Sequence, residues 1–163
     1  MAMKHDLRRE TVYEGDDAEA AFARGKELIR WFTFYGPHIL EANLQSPIHE
    51  GQRFVQHIRI GPFAVRGPVQ VLSAWHTHDP TESTDAIGFT YEAMKGHVER
   101  GTATFELMRI GRRVELRIES DSQPATWLFR LGTPFARFMQ HRAVSSAFDR
   151  MRDTAAGPHR NPK

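Results

Sequence analysis

The spacing of apolar residues along the chain changes between period three-to-four and period two, and these changes mark out the elements. Ala18, Ala21, Phe22, Gly25, Ile29 and Phe32 recur at three and four, with Leu28, Trp31 and Tyr35 widening the stripe. That spacing predicts a helix with one buried face, started by Gly15, Asp16 and the N-cap candidate Asp17 and stopped by Gly36 and Pro37. Ahead of it, RRETVYE at 8–14 predicts a short edge strand.

Beyond Pro47 the period becomes two. Gln52 to Ile60 places Phe54, Ile58 and Ile60 on one side and Arg53, His57 and Arg59 on the other, ending at Gly61 and Pro62. Val69 to Trp75 predicts the next strand, His76 to Thr84 a polar hairpin-like segment, and Asp85 to Glu92 a strand with Ile87, Phe89 and Tyr91 on one face. Thr102 to Ile110 then puts Ala103, Phe105 and Leu107 together, and Gly111 with Arg112 makes a tight turn into Arg113 to Glu119. In that last run Val114, Leu116 and Ile118 alternate with Arg113, Glu115, Arg117 and Glu119, so one of its faces is wet.

Thr133 and Pro134 form an N-cap and first-turn pair opening a helix to about Met151, with Phe135, Phe138, Met139, Ala143, Ala147 and Met151 on a broad apolar arc. Arg142 falls within that arc, where Glu92 or Glu106 could pair with it. One helix, a five- or six-strand antiparallel meander and one long final helix predict an α+β domain of helix-grip layout, a curved sheet wrapped around the C-terminal helix. Residues 1–153 form the single domain and 154–163 a disordered tail. Sheet and helix in this arrangement enclose a cavity, for which Trp75, Phe89, Tyr91, Phe105, Trp127 and Phe135 are the candidate lining residues.

Composition narrows the function classes. The 163 residues carry 22 Lys and Arg against 20 Asp and Glu, a net charge of +2, which does not call for a nucleic-acid partner. There is no cysteine, so disulfides, thiolate metal sites and thiol nucleophiles are absent together. MAMKHDLRRE lacks an apolar signal core, and no later run reaches the roughly 20 apolar residues of a membrane span, so the expectation is a cytoplasmic protein without stable membrane insertion. The oligomeric state is not legible.

Tyr91, Gly96, His97, Gly101 and Phe105, preceded by Gly88 and Phe89 and followed by PFARFMQHR, resemble the family called domain of unknown function nineteen-ninety. The helix AFARGKELIRWF and Gly51 fit the same pattern. Members of that family resemble the START-like, birch-pollen-allergen-like superfamily, so the resemblance implies a helix-grip fold with a pocket and no defined activity. The family's loop usually reads Tyr-Gly-Thr-Leu-Pro-Gly-His and continues to Gly-Glu-Glu. Here Glu92, Ala93, Met94 and Lys95 precede Gly96 and His97, and Thr102 and Ala103 follow Gly101. A mechanism using those two acids does not carry over.

Three functional readings follow. In the first, an apolar or amphipathic small molecule occupies the cavity, with no cofactor. In the second, the same cavity is an enzyme site with His97 as general acid or base and Tyr91 polarising a carbonyl; His97 lies on a loop beside Gly96 and titrates near neutrality. Glu99 could orient or charge His97 or face water. Against the enzyme reading stands hydrogen bonding of His97 to a loop carbonyl and of Tyr91 as a core tyrosine with a satisfied hydroxyl. In the third, His76, His78 and Glu82 form a cupin-like metal site, since His-x-His on a strand puts two imidazoles on one face. The second cupin motif is missing, and no metal ligand is assigned.

Overall fold

The computed structural model describes residues 4–124 and 133–158. The elements in chain order are β1 (Lys4–Glu14), α1 (Ala18–Arg30), β2 (Leu40–Ala42), β3 (Arg53–Ile60), β4 (Phe63–Asp79), β5 (Thr84–Ala93), β6 (Glu99–Ile110), β7 (Arg113–Pro124) and α2 (Thr133–Ala156). All seven strands join one antiparallel sheet in the order β1-β7-β6-β5-β4-β3-β2. β3 to β7 form the expected meander. The sheet is larger than expected because β2 adds to β3; the edge strand expected at 8–14 is β1, which starts earlier, at Lys4, and pairs with β7 along its whole length.

One face of the sheet is apolar through its middle, where Phe54, Val69, Val71, Phe89, Phe105, Leu107, Leu116 and Ile118 are buried. The other face carries charge. Arg9 pairs with Glu115 at 2.5 Å, and Arg117 with Glu106 at 3.6 Å and with Glu119. This is the face read as wet from the alternation in β7.

The helix stripe was expected to run to Tyr35, but α1 ends at Arg30. Thr33 N–H bonds to the Leu28 carbonyl (2.9 Å) and Phe32 N–H to the Ile29 carbonyl (3.2 Å), with Phe32 at φ 53°. These are the two bonds of a Schellman stop. A side chain in the left-handed region costs about 1–2 kcal/mol, and burial of the ring offsets that. Phe32 is 1% exposed, with six aromatic rings at centroid distances of 5.1 to 6.2 Å: Phe34, Tyr35, Phe54, Phe89, Tyr91 and Phe105. Trp31, expected on the buried stripe, is 40% exposed.

α2 is held mainly by its C-terminal half. Ala147, Phe148, Met151 and Ala155 are buried, and a Cβ at Gly25 of α1 would lie 2.8 Å from both Met151 and Leu107. Arg8 donates to Ser145 Oγ at 3.0 Å and lies 4.6 Å over the Phe148 ring, while Arg24 donates to the carbonyls of Thr154 (3.2 Å) and Ala155 (2.5 Å). The helix therefore lies over α1 and β1. It also outruns its expected end at Met151, because Arg24 satisfies the last carbonyls and Ala155 packs; residues 154–156, expected in the tail, belong to it. Residues 159–163 of that tail lie outside the described residues. Phe138, expected on the buried arc, is exposed, and so is Arg142. Glu106, a partner considered for Arg142, is engaged by Trp75 and Arg117.

Replacing Phe105 with Ala should lower stability by about 3–5 kcal/mol, measured by urea denaturation. Phe138→Ala should change it by no more than about 0.5 kcal/mol, the usual range for exposed positions.

Candidate functional site

The apolar face of the sheet divides into two parts along the strands. Toward the end containing Leu107 it is packed solid. Toward the other end it turns small and polar: Gly101 and Ala103 on β6, Ser120 and Ser122 opposite them on β7, Tyr91 on β5 and Gln56 on β3. The packed half is closed by Phe32 and Phe34, which enter from the segment after α1. Phe34 lies 5.0 Å from Phe105, and both are at most 1% exposed.

The polar half gathers four titratable groups around one buried amide. Gln56 is 1% exposed, with its side chain on the apolar face between Phe54 and Ile58. Its strand partner is Gly67 of β4, which has no side chain to place there. The His97 ring takes that space: a Cβ on Gly67 would sit 2.6 Å from its Cδ2 and Nε2. The β5–β6 loop carries His97 to this position. Met94 N–H bonds to the Pro68 carbonyl (2.9 Å), His97 N–H bonds to the Met94 carbonyl (3.0 Å), and Gly101 re-enters β6 at φ 135°. Any Cβ at Gly101 would fall 1.9 Å from the Asp121 carbonyl oxygen, so glycine is required there.

Glu99 N–H donates to His97 Nδ1 at 3.0 Å, which leaves the proton of the neutral ring on Nε2. In the other tautomer Nδ1–H donates to the Glu99 carbonyl at 3.1 Å. In both, Nε2 is buried without a hydrogen-bond partner among the described residues, and so is Gln56 Nε2. The Gln56 amide lies near enough to the Tyr91 hydroxyl to favour its ionised form, yet no hydrogen bond of good geometry joins them. Buried polar atoms are usually paired, and an unpaired one costs about 1–3 kcal/mol.

Burial sets the titration of the cluster. It pushes the Tyr91 phenol up to about 12, with the Gln56 amide opposing and Glu99 adding to the rise. Tyr35 is driven well above the usual tyrosine value by burial, then by Tyr91 and Glu99. His97 is lowered from 6.5 by burial, against the Glu99 backbone bond. Glu99 is raised from 4.5 by burial, with Lys4 opposing and Asp6 adding. The tyrosines thus stay hydroxyl donors, and the His and Glu both shift toward their neutral forms.

Of the residues expected to line a pocket, Tyr91 lies in this cluster beside Gln56, and the catalytic candidate His97 lies against Gly67. Phe89 and Phe105 lie behind it in the packed half. Trp75 does not join them. A bulge between Val71 and Ser73 shifts the alternation of β4 by one, so Ala74 pairs with Phe89 while Trp75 pairs with Gly88 on the opposite face and donates to Glu106 at 2.9 Å. Trp127 lies outside the described residues, as does the side chain of Phe135. His76, His78 and Glu82 do not converge: His78 bonds to Asp85, which Arg109 also holds at 2.5 Å, while Glu82 sits in the turn with its N–H on Asp79 at 3.1 Å. Among the described residues no three His, Asp or Glu side chains are placed to hold a metal.

One member of the cluster was not singled out from the sequence. Gln56 shares the parity of Phe54 and Ile58, a polar residue on an apolar face. Glu99, read either as orienting or charging His97 or as facing water, shares the parity of Phe105 and lies on the inner side.

A curved antiparallel sheet with a long C-terminal helix and a polar cluster at one end of its inner face defines a helix-grip protein of the START and birch-pollen-allergen type. Solved structures agree. A conserved protein from Geobacillus kaustophilus has a TM-score of 0.56 at 9% identity, with 94% of this chain and 95% of that chain covered. A START superfamily protein from Mycobacterium smegmatis gives 0.52 at 10% identity, covering 93% and 97%. The major latex-like protein 151 from Panax ginseng gives 0.50 at 9%, covering 91% and 97%. The chain belongs to the family described as domain of unknown function (DUF1990), whose profile matches residues 2–150. No curated protein sequence matches it. Among the described residues no helix is long and apolar enough to cross a membrane.

The raised pKa of Glu99 has a definite sign for stability. The folded state holds its proton more tightly than the unfolded chain, so the contribution is present below pH 4.5 and is lost as pH rises through the raised value. Glu99→Gln should match wild type in the acid and be the more stable protein above that window, read from melting temperature against pH. His97 works in the opposite sense: stability falls as pH drops below 6.5 toward its lowered pKa. Its ring resonances should titrate with a midpoint below 6.5 in NMR.

Proposed function

We propose that this protein holds an apolar or amphipathic small molecule on the polar half of the inner sheet face, the rings of Phe89, Phe105 and Tyr91 forming the wall behind it. The observation that carries this reading is the pair of buried, unpartnered nitrogens on Gln56 and His97. A hydrogen-bond acceptor on a ligand would relieve the cost of burying them. Trp75 has no part in this site. The absence of cysteine suits the cytoplasm as its location.

A second reading is favoured by the opposite shifts of Glu99 and His97. Groups pushed toward neutrality in one pocket are suited to exchange protons near neutral pH. His97 then serves as acid or base, and Tyr91, still protonated, polarises a carbonyl. This remains a use of the same site.

Native mass spectrometry of untagged protein tests the first reading. The expected spectrum shows a non-covalent organic adduct that is absent from Gln56→Leu, whose melting temperature equals or exceeds that of wild type because an unpaired polar group has been removed. Bare wild-type protein, or an adduct held equally by Gln56→Leu, would overturn it. Incubating wild type and His97→Ala with the released molecule separates the readings: conversion by wild type alone supports catalysis, and unchanged return supports holding.

A further inference from the structure

At one end of the inner face the polar groups fall in a single row across the strands. β5 stops at Ala93, paired with Val69, so the row that begins with Gln56 on β3 and Gly67 on β4 runs past its end. The loop leaving β5 fills that gap with the His97 ring, seated over the bare backbone of Gly67, and Glu99 follows at the start of β6. Gln56 and His97 are thus neighbours. Residues paired across antiparallel strands carry Cβ atoms about 4.5–5.5 Å apart, and His97 Nε2 lies 2.6 Å from where the Cβ of the residue paired with Gln56 would be.

Each presents a buried nitrogen, and neither nitrogen bonds the other. Gln56 Nε2 belongs to a side chain 1% exposed and is a donor with no acceptor among the described residues. The Glu99 N–H, a fixed donor, points at His97 Nδ1 at 3.0 Å, so the neutral ring carries its proton on Nε2 and offers a second donor. In the other tautomer that N–H would face a second N–H. The Tyr91 hydroxyl beside Gln56 stays protonated and is a third donor. Tyr91, Ala103 and Ser120, on the same face, are only half-buried, so an apolar body can reach the pair across them.

We propose that the group received here is a neutral carbonyl oxygen, of a ketone, aldehyde or ester on an otherwise apolar molecule, accepting from both Gln56 Nε2 and His97 Nε2. A carbonyl oxygen has two in-plane lone pairs and no proton of its own, which matches converging donors; a hydroxyl would have to place its hydrogen among them. A carboxylate is disfavoured because the row already holds the Glu99 carboxyl, and the cation acting on it, Lys4, is paired with Asp6 at 2.6 Å. The assignment rests on the reading that this face holds a small molecule, and specifies the group that the site grips. Gly67 sets the selectivity, since any larger residue there would push the His97 ring and its donor out of the row.

Four ring compounds of similar size test it on the untagged full chain: cyclohexanone, cyclohexanol, methylenecyclohexane and cyclohexanecarboxylate. Each is titrated at neutral pH and followed by the side-chain N–H signals of Gln56 in NMR, and the ketone also by its infrared carbonyl stretch. Cyclohexanone should bind at least about tenfold more tightly than methylenecyclohexane, which keeps the shape and lacks the acceptor, because it relieves two unpaired donors. Its carbonyl stretch should fall in frequency on binding. Gln56→Leu should weaken the ketone about tenfold and leave the alkene unchanged. Gly67→Ala, which displaces the ring without altering a polar group, should do the same. Equal binding of ketone and alkene, or of the ketone by wild type and Gln56→Leu, would overturn the carbonyl assignment and leave the holding of an apolar molecule standing. So would a preference for the alcohol or for the carboxylate. Binding of none of the four would overturn the assignment and the reading beneath it together.

Discussion

The inner face of this sheet is closed by the chain's own aromatic rings, and the central one is Phe32. Its left-handed backbone turns the chain out of α1 and into the concavity, where it meets rings from the turn itself and from β3, β5 and β6. The local cost of that conformation is about 1–2 kcal/mol, while full burial of a phenylalanine side chain contributes about 1.5–3 kcal/mol. The strained turn persists because the sheet supplies the walls. The sheet face in turn stays dry because the turn supplies the filling.

With the deep half of the grip occupied by rings, the polar groups of the inner face lie in the shallow half. There the strands carry Gly67, Gly101, Ala103, Ser120 and Ser122, and the β5–β6 loop folds His97 onto the bare backbone at Gly67. The same desolvation that raises Tyr91, Tyr35 and Glu99 lowers His97, so burial biases each member of the cluster toward its neutral form. Such a site suits a neutral hydrogen-bonding group on an otherwise apolar molecule better than a strong ion. Ions are handled elsewhere: the charged outer face pairs them with one another, and α2 is tied down by Arg8, Arg24 and Arg152.

Much of this was legible in the chain. Alternation of Val114, Leu116 and Ile118 with charged residues located β7 and both of its faces, and the Gly111–Arg112 turn set its pairing with β6. Tyr91 and His97 were the catalytic candidates; His97 lies against Gly67 and Tyr91 beside Gln56, on neighbouring strands of the inner face. The errors fall where period-two or period-three reasoning meets an irregularity. A single extra residue at the β4 bulge carried Trp75 to the far face. The stripe that included Phe32 and Tyr35 was apolar as predicted, yet those residues are buried by leaving the helix. α2 has an apolar arc by composition, but Phe138 on that arc is exposed, while Ala147, Phe148, Met151 and Ala155 are buried.

The sequence alone determined the element order, the antiparallel meander and the class of fold, because hydrophobic periodicity and turn residues are local properties of the chain. It also marked His97, flanked by a loop glycine, as the residue most worth following. Tertiary structure decided which side chains share a site. Gln56 and His97 are brought together by cross-strand register at Gly67, and Glu99 is desolvated by its place on the inner face. Register and packing depend on pairings distant in sequence, which no local pattern encodes.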